Sequence, residues 1–177
     1  MNLPNRLTLL RIALIPLCVL FIILNLNILA GVVFIIASLT DFLDGHIARR
    51  DNIVTNFGKF ADPVADKILV LAVMIALIPS GAYPWWAACI VAARELSVDG
   101  LRLVAVEQGL VIPAGKLGKI KTSFQFFSVL SALFGLPAAV TLTLCIIMAV
   151  LTVISGIQYF AASRHVFAFK AQDQQAP

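Results

Sequence analysis

Residues 12–40, 68–93 and 122–163 of this chain contain no charged side chain. A helix that crosses a bilayer needs about 20 predominantly apolar residues, so each run must be matched to one span or divided. Turn residues make the divisions. Asn25, Leu26 and Asn27 split the first run, Pro79, Ser80, Gly81 and Pro84 end a helix in the second, and Gly135, Leu136 and Pro137 split the third. Six helices are predicted, at about 6–24, 28–49, 58–79, 84–108, 119–135 and 138–163. With 61% hydrophobic residues, 12% charged residues and a mean hydropathy of +1.01, a water-soluble domain is excluded. The predicted fold is all-α and polytopic, with six transmembrane helices.

Charge supplies the orientation. Arg6, Arg11, Arg49, Arg50, Lys59, Lys116, Lys119, Lys121, Arg164 and Lys170 all fall at helix ends or loops on one side, and the three short loops on the other side carry no Lys or Arg. The positive-inside rule then places both termini in the cytoplasm. Tyr83, Trp85 and Trp86 are expected at the outer interface as an aromatic belt. The net charge of +4 reads as topology plus attraction to anionic headgroups of the lipid bilayer, with no nucleic-acid partner expected. A secretory signal over residues 1–24 is the rival reading; no small-residue cleavage site follows it, and removing it would leave an odd number of helices. Cys18, Cys89 and Cys145 lie in separate apolar helices without His or Cys at ligand spacing, which makes them packing residues. No soluble domain or repeat is visible, so residues 1–170 read as one domain and 171–177 as a disordered tail.

Against this apolar background, residues 41–66 (DFLDGHIARRDNIVTNFGKFADPVAD) hold five of the nine acidic residues. At about 100° per residue, Asp41, Asp44, Gly45 and Ala48 share an arc of roughly 100° on one helix, and Gly58, Asp62 and Asp66 share roughly 80° on the next. The polar break at Arg49, Arg50, Asp51, Asn52 and Asn56 turns the chain back, so the two acidic faces can meet one to two turns inside the cytoplasmic interface. Four carboxylates at that depth must be protonated, paired with cations, or bound to metal. Neutralisation by Arg49, Lys59 and Lys67 is the structural alternative. Two glycines on the same faces favour a ligand that approaches the backbone. Oxygen-only donors suit a hard divalent cation, and two such ions about 3.5–4 Å apart form a clamp used in phosphoryl chemistry. His46 sits beside this cluster and reads as an interfacial residue.

Written out, the run is Asp41-x2-Asp44-Gly45-x2-Ala48-Arg49-x8-Gly58-x3-Asp62-x3-Asp66. It resembles, at every position, the signature of the CDP-alcohol phosphotransferase family, membrane enzymes that transfer a substituted phosphate from a CDP-alcohol to a second alcohol and release CMP. The resemblance implies that family's six-helix fold, a single catalytic domain, two divalent cations (Mg²⁺ or Mn²⁺) on Asp41, Asp44, Asp62 and Asp66, and Asp66 as general base; spacing alone does not separate Asp66 from Asp62. It places Gly45, Ala48, Arg49 and Gly58 on the CDP-lipid. Residues 4–11, PNRLTLLR, are similar to the run with which many members begin and would put Asn5, Thr8 and Arg11 near the nucleotide; a helix start with positive-inside arginines reads equally well. Members are commonly homodimers.

The acceptor has to be read elsewhere. Arg94, Glu95, Asp99 and Arg102 span roughly 140° of the fourth helix, and Lys116, Lys119 and Lys121 follow. Five bases beside an acidic site suggest a pocket for an anionic acceptor, with Arg as a bidentate phosphate ligand. The alternative is an intrahelical ladder of Glu95, Asp99 and Arg102 with the lysines as topology signals. The runs Ala93-Arg94-Glu95-Leu96, Gly100-Leu101-Arg102 and Gly118-Lys119-Ile120-Lys121-Thr122 look like those of the bacterial phosphatidylglycerolphosphate synthases within the family. That likeness implies CDP-diacylglycerol as donor and sn-glycerol 3-phosphate as acceptor, with the active site on the cytoplasmic side of the cell membrane. Competing readings are a family member using inositol phosphate, serine or phosphatidylglycerol, a divalent-cation transporter, and a prenyl-diphosphate enzyme. The first loses serine to the basic stripe, the second lacks interrupted helices or repeats, and the third fits the Asp44-Gly45-x2-Ala48-Arg49 run poorly.

Overall fold

A computed structural model describes residues 3–50, 56–110 and 115–164, and the side chains of 8–40, 64–110, 115 and 117–164. The described residues form six α-helices and no strand: α1 (Leu3–Ile23), α2 (Asn27–Arg50), α3 (Asn56–Ala76), α4 (Trp85–Glu107), α5 (Lys116–Leu133) and α6 (Ala138–Ala162). The number and order are those predicted, with ends that differ by a few residues. α1 begins earlier, through Pro4, whose missing N–H costs nothing in a first turn. α5 begins at Lys116 because Gly115 supplies an extended N-cap.

Three helix ends have a common cause. Asn25, Gly109 and Gly135 adopt φ of 60°, 72° and 64°. In each case the next residue's N–H reaches back five residues, as in Leu26 to Phe21 at 2.8 Å, Leu110 to Ala105 at 2.8 Å and Leu136 to Ser131 at 2.9 Å. This left-handed cap satisfies the last carbonyls and reverses the chain, which explains why Asn and Gly mark the breaks.

α1 packs against α2 and α3, α6 packs against α4 and α5, and α3 and α5 bridge the two sets. One large apolar cluster, including Ile22, Phe34, Leu69, Met74, Leu77 and Leu133, joins them, and a small one of Val98, Leu101, Ala105 and Tyr159 lies at the far end of α4. The exterior is apolar: Leu20, Ile36, Leu103, Ile146, Val150 and Ile157 are all exposed. Polar groups turn inward instead. Gln125, Ser128 and Ser131 form a buried seam on α5 that meets Thr141 of α6, with Ser131 Oγ donating to Thr141 Oγ1 at 3.0 Å. Hydrogen bonds between small hydroxyls are one of the contributions that hold packed helices together. Among the described residues one helix, α6, is long and apolar enough to cross a membrane on its own composition.

The three aromatic residues expected at an outer interface differ in exposure. Trp85 is exposed and Trp86 half-buried, but Tyr83 is buried, because its hydroxyl pairs with Ser128 Oγ at 2.8 Å inside the bundle. Cys18 and Cys145 are buried in packing and Cys89 is exposed; all three are free thiols.

Candidate active site

α2 carries Asp41 and Asp44 in its last turns before Arg50, and α3 carries Asp62 and Asp66 one turn apart. The side chains of Asp41, Asp44, Gly45, Ala48, Arg49, Gly58 and Asp62, like those of Asn5 and Lys116, lie outside the described residues. Asp66 is described. It is half-buried and lines a cleft of about 740 Å³ between α2, α3 and α5. Apolar groups such as Ile35, Leu39, Val70, Phe126 and Leu130 make up most of its wall, with Lys119 and Thr122 alongside. Among the described residues no three His, Cys, Asp or Glu converge, three of the four motif aspartates being outside that set. Asp66 is the one motif carboxylate whose side chain is described, and carboxylate oxygen is the donor type that a hard cation takes.

α1 turns one stripe inward. Thr8, Arg11, Ile15, Cys18 and Ile22 are all buried, at helical spacing, on a helix that packs on α2 and α3. The guanidinium of Arg11 is therefore inside the bundle, on the helix beside the two that carry the motif.

The basic residues form a second cavity. Arg94 and Arg102 of α4, Lys119, Gly118 and Thr122 of α5, Gly115 at its cap, and Tyr159 of α6 line a cleft of about 180 Å³. Lys119 and Thr122 also line the cleft of Asp66, so the two cavities share a wall. Arg94 passes between two glycines: a Cβ on Gly118 would lie 3.6 Å from its Nη2, and one on Gly156 would lie 3.4 Å from its Cγ.

The ladder of Glu95, Asp99 and Arg102 within α4 does not form. Glu95 instead accepts from Lys121 Nζ at 2.5 Å and from Arg94 Nη1 at 3.0 Å, with Lys67 Nζ 3.4 Å away. Lys67 also donates to Asp99. Three cations and two carboxylates thus tie α3, α4 and α5 together, the arrangement that makes charge tolerable in an apolar bundle. Lys67, expected among the groups that would neutralise the motif aspartates, is bonded to α4. Lys121 is buried and committed to Glu95, so it stands behind the basic cleft and does not line it. Arg102 turns away from Asp99 because Tyr159 takes its Nε–H at 2.9 Å. Tyr159 and Gly156 had no signal in the sequence: both sit in an apolar helix with no neighbouring charge.

Residues 1–165 match the family model described as CDP-alcohol phosphatidyltransferase. The chain is 42% identical over 181 residues to the CDP-diacylglycerol--glycerol-3-phosphate 3-phosphatidyltransferase of Bacillus subtilis (strain 168), covering 90% of this chain and 94% of that protein. It is 38% identical over 176 residues to the protein of that name from Rickettsia felis, covering 94% and 97%. To the probable phosphatidylglycerophosphate synthase of Mycobacterium tuberculosis (strain CDC 1551 / Oshkosh) it is 39% identical over 171 residues, covering 90% and 80%.

Proposed function

Because this chain belongs to the CDP-alcohol phosphatidyltransferase family, we propose that it transfers the phosphatidyl group of CDP-diacylglycerol to sn-glycerol 3-phosphate, giving phosphatidylglycerol phosphate and CMP in phospholipid biosynthesis. All six helices span the cell membrane, residues 1–170 form the catalytic domain, both termini are cytoplasmic and the site opens to the cytoplasm. The apolar exterior and inward polar seam support that placement.

One observation carries the reading: the basic cleft of Arg94, Arg102 and Lys119 shares a wall with the apolar cleft that holds Asp66. The larger cleft suits a lipid donor whose acyl chains remain in the inner leaflet. The smaller is below the roughly 300–1,000 Å³ of pockets for drug-sized molecules and suits a small phosphorylated alcohol. Arg94 and Arg102 hold the acceptor's phosphate as forks, and Lys119 adds a point charge at the junction, with Lys116 beside it in sequence. Lys121 contributes charge from behind while neutralising Glu95. Asn5, Thr8, Arg11, Gly45, Ala48, Arg49 and Gly58 serve the CDP end.

Asp41, Asp44, Asp62 and Asp66 would hold two divalent cations, Mg²⁺ or Mn²⁺, which when bound neutralise the diphosphate. Asp66 takes the proton from the acceptor hydroxyl as its oxygen bonds to the β-phosphorus and the bond to the CMP oxygen breaks. Lys119 and Thr122, lining both cavities, keep the acceptor against the donor, which lowers the entropic part of the barrier.

An acceptor screen tests the assignment: purified protein with CDP-diacylglycerol and Mg²⁺ is given glycerol 3-phosphate, inositol phosphate, serine or phosphatidylglycerol, and CMP is measured. Release with glycerol 3-phosphate and not with the others is expected. Release with another acceptor alone would reassign the cleft, and Mg²⁺ moving across liposomes without CDP-lipid consumption would make the chain a transporter.

A further inference from the structure

Arg102 is held by a residue of another helix. Its Nε–H is taken by Tyr159 Oη at 2.9 Å, and its guanidinium carbon lies 5.5 Å from the centre of the Tyr159 ring. The ring cannot swing away, because Tyr159 is itself buried and packs with Val98, Leu101 and Ala105. A hydrogen bond and a cation–π contact together fix the plane of the guanidinium. The Nε–H is the donor that Tyr159 takes, so the N–H groups of the two terminal nitrogens are not used in this contact, and Arg102 lines the same cleft as Arg94 and Lys119.

We propose that Tyr159 is a positioning residue that sets the acceptor specificity of this enzyme, by orienting Arg102 as a rigid fork for the phosphomonoester of the acceptor. An arginine free to rotate would attract any anion as a point charge; one held in plane favours a phosphate whose two oxygens match its spacing. α6 lies outside the acidic motif, yet through Tyr159 it decides which alcohol the motif acts upon. This rests on the reading of the basic cleft as the acceptor site, and Arg102→Ala serves to test that reading separately.

The experiment is steady-state CMP release, with each substrate varied at saturating levels of the other. Tyr159→Phe, which keeps the ring and loses the hydroxyl, is expected to raise KM for glycerol 3-phosphate roughly threefold to tenfold, the size of one hydrogen bond. KM for CDP-diacylglycerol and kcat should stay within about twofold. The inhibition constant of inorganic phosphate, competing with the acceptor, should rise by the same factor, which a loss of packing alone would not produce. Arg102→Lys keeps the charge but offers no planar Nε–H, and reports on the pin without touching α6; the same KM shift is expected. Adding Tyr159→Phe to Arg102→Lys should change KM by less than about twofold, because both remove one interaction. An acceptor KM unchanged in Tyr159→Phe or in Arg102→Lys, alongside a raised one in Arg102→Ala, would overturn the pin and leave the cleft assignment standing. Unchanged values in all three would overturn both. Effects that multiply in the double variant would mean that Tyr159 acts independently of Arg102, which also overturns the proposal.

Discussion

The acidic motif and the basic cleft are built in opposite ways. The motif occupies residues 41–66, on two consecutive helices joined by a short polar break, and its spacing is set by helical periodicity alone. The cleft draws on α4, α5 and α6, and its side chains reach their places through partners on other helices: Arg94 through Glu95 and the gap at Gly156, Arg102 through Tyr159. A local pattern can be read from the chain, and in the reading proposed above it carries the part of the reaction common to a family. A cleft assembled by packing can be changed one wall at a time, and it suits the part that has to differ from one acceptor to another.

If that division holds, damage to the two regions should differ in kind. Asp66→Asn, in a protein that still folds, should lower kcat by a factor of about 10² to 10⁴, the usual contribution of a general base, and chelation of divalent cations should abolish CMP release altogether. A variant with near-normal turnover would remove Asp66 from that role. Glu95→Ala should act chiefly on stability. It leaves Lys121 buried without its anion, and breaking such a pair costs about 3–5 kcal/mol, read as earlier thermal inactivation in detergent. Combining it with Lys121→Met should recover most of the loss; no recovery would mean that Glu95 matters for something besides this pair. Gly156→Val is expected to raise the acceptor KM roughly tenfold, since overpacking costs ~1–3 kcal/mol. Gly156→Ala should raise it only about twofold, because a Cβ 3.4 Å from Arg94 asks that side chain to shift by a few tenths of an ångström. Equal effects of the two would show that the gap at Gly156 does not guide Arg94.

The helices themselves were legible because long apolar runs announce helices by their length and by the residues that stop them. Asn25 and Gly135 lie in predicted breaks and adopt the left-handed conformation that ends a helix. The aspartates stand out in the sequence because charge in an apolar run is rare; α2 and α3 form where that spacing needs them, and of the four side chains Asp66 is the one among the described residues. Partner choice among α4's charges was not. Glu95, Asp99 and Arg102 have ladder spacing, but Lys67 and Lys121 reach the two carboxylates from neighbouring helices, and only tertiary packing reveals that. Tyr83 misled for the same reason: an aromatic residue near a membrane interface reads as a belt residue until a buried hydroxyl such as Ser128 is found to be its partner. Tyr159 and Gly156, single residues in an apolar helix, carry no pattern at all.

In the proposed function the two substrates meet at separate but adjoining walls, with the acceptor's phosphate on the arginines. The most direct test is the pair of KM values in Arg102→Ala, with Arg94→Ala beside it. KM for glycerol 3-phosphate should rise at least about tenfold, as loss of a charge-assisted contact of ~1.5–3 kcal/mol requires, while KM for CDP-diacylglycerol stays within about twofold. A rise of equal size for both substrates would contradict it and reduce the basic cleft to part of the scaffold.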